Sequence, residues 1–190
     1  MDYGNGYGAL SRPRVTPSLY KLTIELIPER QWGVNLRAMM SAHQWGKIRR
    51  QVYARAGGVC EICAGTGYRG RLDCHERWKY DEANRRQTLI GLIALCPRCH
   101  QVKHLGFAQK LGKLDEAIEH MIRVNGMSKA EARAYLEWAY AAQRRRAAMR
   151  WATDVAWFEA EFSGVLSKRS TPILPTIASS KYPQPGPPTA

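Results

Sequence analysis

The chain has 190 residues, of which 45% are apolar and 24% are charged, and its formal net charge is +13. This composition provides enough apolar residues for the core of one globular domain. A surplus of positive charge this large attracts polyanions, of which nucleic acid is the commonest. The N-terminal residues do not resemble a signal peptide, and the longest apolar stretch, residues 89–96, is too short to span a bilayer. We therefore expect a cytoplasmic protein that makes no membrane contact.

The positive charge is concentrated in one part of the sequence. Residues 43–113 contain 14 Lys and Arg against 5 Asp and Glu, a surplus of +9. Residues 114–166 contain 7 against 8, a net charge of −1. A merely solvated surface would spread the surplus more evenly, so we interpret the first of these stretches as the part that binds phosphates.

The first 42 residues predict a disordered segment followed by a strand. Residues 1–18 are rich in Gly, Tyr and Pro, which is typical of disorder. Residues 19–42 are interpreted as a strand and a connector. Leu22, Ile24 and Leu26 alternate with polar residues, as in a half-buried strand, and the following proline ends it.

Residues 43–110 are predicted to form the core of the protein. Apolar residues recur at helical spacing from about Ser41, and a Gly-Gly pair ends this first helix. Two short strands follow, in RLDCHERW and in TLIGLIAL, with a polar loop between them. A further helix in CPRCHQVKHLG is predicted to begin at Pro97 and to end at Gly106.

Residues 111–166 predict a helical extension, and residues 167–190 a Pro-rich disordered tail. One helix of the extension covers residues 114–124. Ser128 then begins a capping box, S-x-x-E, from which one long helix is predicted to run toward Phe162. We expect these helices to brace the core or to bind a second copy or a protein partner.

Four of the five cysteines form two CxxC pairs, Cys60 with Cys63 and Cys96 with Cys99. Each pair places two thiolates on one tight turn, and two pairs complete the tetrahedral four-sulfur shell that zinc prefers. In a chain without a secretion signal this pattern favours a metal over disulfides. We predict a structural Zn²⁺ on which the folding of the intervening strands depends.

Two histidines stand beside the second pair and are not needed by a four-sulfur site. His100 and His104 are four residues apart, so one helix face presents both imidazoles. Capping or support of the zinc site is one explanation for them. A third histidine upstream and the basic surroundings favour the other explanation, a second metal ion.

From Cys60 to His104 the sequence resembles the HNH endonucleases of the ββα-metal nuclease superfamily. The matching motifs are DCHE, residues 73–76, and ALCPRCHQVKH, residues 94–104. The resemblance implies an α+β fold with a small, zinc-stapled ββα-metal core, flanking α-helices and disordered termini. In such a core two strands and a helix hold one divalent ion.

The resemblance also implies roles for single residues. His75 stands where the family has its general base, and neutral imidazole suits this role near neutral pH. Glu76, directly after it, is expected to be a ligand or an orienting residue.

The catalytic ion is expected to bind His100 and His104, which match the helical histidines of the family. The ligand from the first strand would be Asp73 or Cys74. A carboxylate would favour Mg²⁺ or Mn²⁺ and a thiolate Zn²⁺, with Ni²⁺ as a further candidate. Cys74 could instead be a small buried residue.

One position departs from the family pattern. The Asn that orients the base in the family would fall at Gly91 here. Asn84, Gln87 or Thr88 could supply the hydrogen bond from the loop, and catalysis would weaken if none of them does.

Together these observations predict a metal-dependent HNH endonuclease, a hydrolase that cuts the phosphodiester bonds of double-stranded DNA. The alternative is a zinc-dependent nucleic-acid-binding module on an HNH-like frame, without catalysis. The missing Asn favours the module, and the coincidence of three histidines favours the nuclease. The basic residues predicted to contact DNA are Lys47, Arg49, Arg50, Arg77, Lys79, Arg85 and Arg86.

Overall fold

The computed structural model describes residues 15–28 and 35–165. Within these residues the chain is α+β, with six α-helices and one three-stranded sheet. The predicted disorder of residues 1–14 and 167–190 lies outside the described part. Residues 17–19, at the end of the predicted N-terminal disorder, form a short 3-10 turn.

The elements follow in this order: α1 (Ala42–Arg55), β1 (Asp73–Asp81), β2 (Arg86–Leu95), α2 (Pro97–Lys103), α3 (Leu105–Lys110), α4 (Leu114–Asn125), α5 (Lys129–Ala147), β3 (Ala152–Asp154) and α6 (Ala156–Glu161). β1 and β2 form an antiparallel hairpin, as the two predicted strands suggested. The short β3 adds to the other edge of β2 in the parallel direction.

Two predicted helix starts are confirmed, that of α1 from the helical spacing of its apolar residues and that of α5 from its capping box. Ser41 caps α1 in a capping box with Gln44, and Ser128 caps α5 in a capping box with Glu131. In each case the two side chains bind backbone N–H groups that the first helical turn leaves unpaired.

The strand predicted near the N-terminus is not formed. Leu22, Ile24 and Leu26 are buried and alternate with more exposed residues, but this extended segment belongs to no described sheet. Its backbone binds helices instead. The Glu25 N–H donates to the carbonyl of Lys103 at 3.0 Å, and the Ile24 N–H donates to the Tyr135 hydroxyl at 2.9 Å.

The prediction that Gly106 ends the helix after Pro97 is wrong. α2 ends at Lys103, His104 leaves helical geometry, and Gly106 lies inside α3. The cause is tertiary, because the Lys103 carbonyl accepts its hydrogen bond from Glu25 rather than from a residue farther along the helix.

The single long helix predicted toward Phe162 is in fact two helices separated by β3. α5 ends at Ala147. The indole N–H of Trp151 then donates back to the Arg146 carbonyl at 3.1 Å, which satisfies one of the carbonyls that a helix end leaves free. The capping box predicts where the helix begins and carries no information on where it ends.

Two apolar clusters pack against the hairpin. The larger one joins the N-terminal extended segment, α2, α4 and α5, and includes Leu95, Cys99 and Tyr135. The smaller one joins α1 and α6 to the hairpin through Ile48 and Leu89, among others. Complete burial of one such side chain contributes about 1.5–3 kcal/mol. The predicted core and helical extension share the larger cluster, and the boundary between them stays a prediction.

Within the described residues, none of the helices has the length and apolar character that crossing a membrane would require.

Candidate metal centres

The two CxxC pairs meet in the larger apolar cluster. The sulfur atoms of Cys60, Cys63, Cys96 and Cys99 all lie within 4.8 Å of one another, and those of Cys63 and Cys96 are 3.7 Å apart. All are free cysteines. A hydrogen bond with Cys99 lowers the pKa of the Cys60 thiol, whereas the same contact and burial raise the pKa of Cys99, so Cys60 ionises before Cys99. The cluster can therefore hold a metal such as zinc.

His120 supports this cysteine cluster from α4, which the sequence analysis missed. Its Nε2 lies 3.2 Å from the Cys99 sulfur, and its Nδ1 lies 3.3 Å from the Arg123 guanidinium. A guanidinium can only donate, so Nδ1 accepts and Nε2 carries the proton that points at the sulfur. Hydrogen bonds of this kind stabilise a metal-bound thiolate and connect α4 to the site.

Three histidines form a second group of side chains that could bind a metal ion. His75 from β1 and His100 and His104 from the end of α2 each offer a ring nitrogen, and these atoms lie within 4.8 Å of one another. The ring centroids are 4.7 to 5.4 Å apart. The spacing of four residues places the two helical imidazoles together, as predicted. Three imidazoles are a ligand set that leaves a metal coordination position open.

Carboxylates hold two of these rings. Glu25 Oε2 lies 2.8 Å from His75 Nε2, and Asp73 Oδ2 lies 3.3 Å from His100 Nδ1. A carboxylate on one ring nitrogen fixes the tautomer and leaves the other nitrogen free for a metal ion. Asp73 was predicted to bind the same ion as His100, and its carboxylate is in direct contact with the His100 ring.

Glu25 is in turn held by Lys103. This lysine is only 5% exposed, and its Nζ donates to Glu25 Oε1 at 2.6 Å and to the Thr23 hydroxyl at 2.7 Å. Burial would raise the pKa of Glu25, but hydrogen bonds and charges from His75 and Lys103 lower it to about 2. The carboxylate is therefore ionised at neutral pH.

The environment of His75 and His104 favours their neutral forms. Burial lowers the pKa of His75 against the opposing effect of Glu25. Burial and the neighbouring histidines lower the pKa of His104 to about 3. Only neutral imidazole has a nitrogen lone pair for a metal, so the environment favours the binding form.

The loop residues predicted to orient His75 do not do so. The Asn84 amide donates to Asp81, the Gln87 amide to Thr153, and Thr88 pairs with Lys79 in the hairpin. The orienting group is Glu25 instead. It lies 50 residues before His75, and its only sequence signal was a carboxylate within an apolar alternating segment.

Gly91 does not pair with His75 in the hairpin. Its partner is Arg77, at an irregularity in the strand register, whereas His75 pairs with Ile93. The hydrogen bond to the His75 ring comes from outside the hairpin, from the N-terminal segment that carries Glu25.

Cys74 and Glu76 lie on the face of β1 opposite to His75, because successive side chains of a strand alternate. Cys74 packs against the smaller apolar cluster, and burial raises its thiol pKa to about 12, which does not suit a metal ligand. Glu76 accepts hydrogen bonds from the Leu36 N–H at 2.7 Å and the Trp78 indole at 3.0 Å, and burial raises its pKa.

A cavity of about 430 Å³ opens beside the three histidines. It is formed by the N-terminal extended segment, residues 35–37, α1, β1, the end of α2 and one side chain from α5. The histidines and acidic groups line one part of it. Its other lining includes four aromatic residues and three arginines, namely Trp45, Tyr53, Trp78, Tyr80, Arg37, Arg49 and Arg146.

Of the basic residues predicted to contact DNA, Arg49 lines this cavity. Arg86 pairs with Asp154 at 3.2 Å. The others lie exposed on α1, on β1 and in the hairpin turn: Lys47, Arg50, Arg77, Lys79 and Arg85. Arg37 and Arg146 were not predicted.

Comparisons of the chain with protein-family models, with curated proteins and with solved structures find no match. The description of the protein therefore rests on its own sequence and structure. The protein is an α+β chain with one cluster of four cysteines and one of three histidines, each able to hold a metal ion.

Proposed function

We propose that the protein is a metal-dependent endonuclease of the HNH type that hydrolyses phosphodiester bonds in DNA. The observation that carries the proposal is the convergence of His75, His100 and His104 in the wall of a cavity that arginines also line. The order β1, β2, α2, with the cysteine cluster beside it, is compatible with a ββα-metal core.

The geometry favours His75 as the third metal ligand over its predicted role as general base. Glu25 occupies Nε2 and leaves only Nδ1 available, and the residue is 5% exposed and packs edge-on against both helical histidines, which limits the access of water to this nitrogen. A general base needs a free nitrogen that reaches water. Glu76 suits this role less well, because it lies on the face of β1 opposite to His75 and its two oxygens already accept hydrogen bonds from the Leu36 N–H and the Trp78 indole.

A divalent ion bound by the three histidines would polarise a phosphoryl oxygen and acidify a bound water. The chain itself supplies the remaining parts. Glu25 and Asp73 fix the orientation of the rings. Arg37 and Arg49 form no ion pair with a described acidic residue, and their guanidinium groups suit a phosphate at the cavity.

The wider DNA contact is assigned to the exposed basic residues of α1 and of the hairpin, which would bind flanking phosphates without reading sequence. The cysteine cluster would hold a structural Zn²⁺. A cytoplasmic location and the binding of a second copy or a protein partner through α4 and α5 remain predictions.

Plasmid nicking tests the proposal. Supercoiled plasmid is incubated with purified protein and Mg²⁺, Mn²⁺, Ni²⁺ or Zn²⁺, each beside a chelator control. We expect metal-dependent conversion to nicked or linear DNA, with a loss of rate of about 100-fold or more in His100→Ala. His43→Ala, which changes an exposed histidine of α1 outside the cavity, is the control and should retain the rate.

The alternative function, a zinc-dependent nucleic-acid-binding module, is supported by the exposed basic residues alone. It requires no cutting with any metal, together with DNA binding that weakens as salt is raised. That result would reject the nuclease. Cutting that His100→Ala leaves unchanged would reject the histidine cluster as its site.

A further inference from the structure

We propose that the cavity receives one unpaired nucleotide of the DNA, with its base against the aromatic wall and its phosphate toward the arginines and histidines. This inference rests on the proposed function, because it names the substrate feature that the same site would select. Its consequence is a preference for single strands, bulges or mismatches over continuous duplex.

The size of the cavity is the first reason. About 430 Å³ lies within the range of roughly 300–1,000 Å³ typical of sites that enclose a small molecule. A base in a continuous duplex stays stacked between its neighbours and cannot enter such a space. Proteins that enclose a base act on a single strand or take the nucleotide out of the stack.

The presence of aromatic side chains in the lining of the cavity is the second reason. Trp45 and Tyr53 from α1 and Trp78 and Tyr80 from β1 all line the cavity, and aromatic rings accept any base by stacking. Tyr80 is already covered, since the Arg146 guanidinium lies 4.7 Å above its ring. Trp78 is held in place by its hydrogen bond to Glu76 and is therefore the principal stacking surface.

An unpartnered hydroxyl is the third reason. The Tyr53 hydroxyl oxygen is buried, and within the described part of the chain it makes no hydrogen bond of good geometry, although the Arg49 guanidinium lies close enough to interact with it. Buried polar atoms are nearly always hydrogen-bonded in native structures. Tyr53 lines the cavity, so a nucleotide placed there would supply the partner that the protein does not.

The charges complete the match. Arg37 and Arg49 reach the cavity without an ion pair to a described acidic residue, on the same lining as the three histidines. A nucleotide has a flat apolar base and an anionic phosphate, and the lining of the cavity includes both aromatic rings and cationic groups.

The test compares four oligonucleotides of one sequence: a paired duplex, a duplex with a one-nucleotide bulge, a single strand, and the bulged duplex made of RNA. Affinity is measured without an added divalent ion, so that the DNA is not cut, and cutting is measured with the ion found active on plasmid. We expect the bulged and single-stranded DNA to bind at least about tenfold more tightly than paired DNA. 2-Aminopurine at the bulge should change its fluorescence on binding, as its stacking changes.

Two substitutions locate the nucleotide. Tyr53→Phe removes only the unpartnered hydroxyl, and Trp78→Leu removes the stacking ring. Both should reduce the preference for bulged DNA, whereas the control Tyr140→Phe, whose hydroxyl binds Gln109 away from the cavity, should retain it. Circular dichroism confirms that each variant is folded.

Equal affinity and equal cutting of paired and bulged DNA would overturn this inference and leave the nuclease intact. Absence of cutting, with tighter binding of bulged DNA that depends on Tyr53 and Trp78, would reject the nuclease and support the nucleotide site. A preference that neither substitution alters would also overturn it, since the nucleotide would then bind elsewhere. Equal preference for bulged RNA would extend the substrate class to both nucleic acids.

Discussion

The cysteine cluster and the histidine cluster lie at the two ends of α2, yet they are built differently. The four cysteines come from two short turns and meet within an apolar cluster, where only Cys63 is partly exposed. The three histidines line a cavity and are held by carboxylates. A closed set of four sulfurs is typical of structural zinc, and an incomplete set on a cavity is typical of a reactive metal. The proposed structural site and the proposed catalytic site therefore both include residues of one helix.

The largest expected effect concerns the cysteine cluster and its proposed structural role. Cys99→Ser should lose the metal and unfold most of the larger apolar cluster, because structural zinc contributes about 10–16 kcal/mol of apparent binding free energy in small zinc domains. Zinc content by native mass spectrometry and thermal unfolding by circular dichroism measure it. Cys74→Ser, outside the cluster, is the matched control. A Cys99→Ser protein with normal zinc content and melting temperature would contradict the structural assignment.

The second largest effect is a loss of metal binding that is expected at the histidine cluster alone. His100→Ala is expected to reduce the metal count by one ion per chain while it leaves the cysteine-bound ion and the melting temperature almost unchanged. The physical reason is that His100 is half-buried beside the cavity and contributes little apolar packing. Metal titration followed by native mass spectrometry gives the count. Loss of both ions together would show that the two clusters form one site, against the separation argued here.

A smaller effect is expected from the carboxylate that orients His75. Glu25→Gln should weaken metal binding at the histidine cluster by about 10- to 100-fold, because outer hydrogen-bond partners typically have this influence on metal affinity. Isothermal titration with Zn²⁺ or Mn²⁺ measures the change. Glu137→Gln, at an exposed position of α5, should have no effect. Unchanged affinity in Glu25→Gln would mean that the 2.8 Å contact with His75 is only structural.

The smallest effect is a pH dependence. The pKa of His104 is lowered from 6.5 to about 3, so the folded state binds fewer protons than the unfolded state between these values. Its contribution to stability is therefore complete above about pH 6.5 and is lost as the pH falls, by about 1 kcal/mol for each unit. Urea denaturation between about pH 7.5 and pH 5 should show a shallower fall in His104→Gln than in the wild type or in His43→Gln. Equal slopes in all three proteins would contradict the lowered pKa.

Many of the helices and strands were predictable because the residues that indicate them are close together in the sequence. Ser41 and Ser128 begin helices through side chains three residues apart, and Pro97 and Cys99 lie where a CxxC turn leads into α2. The strands of the hairpin follow from apolar alternation. By contrast, the end of α2 at Lys103 was not predictable, because it depends on a hydrogen bond from a residue far away in the sequence.

The sequence by itself determined which residues can hold metal and where they stand on their elements: the CxxC turns, the helical spacing of His100 and His104, and the basic surplus around them. Only the tertiary structure decided what surrounds them. It brought Glu25 to His75, turned Cys74 away from the histidines, and placed Arg37 and Tyr53 on a common cavity. These contacts join residues of different elements, and contacts between distant segments leave no periodic pattern in a sequence, because burial and alternation report only which face is covered and not by what.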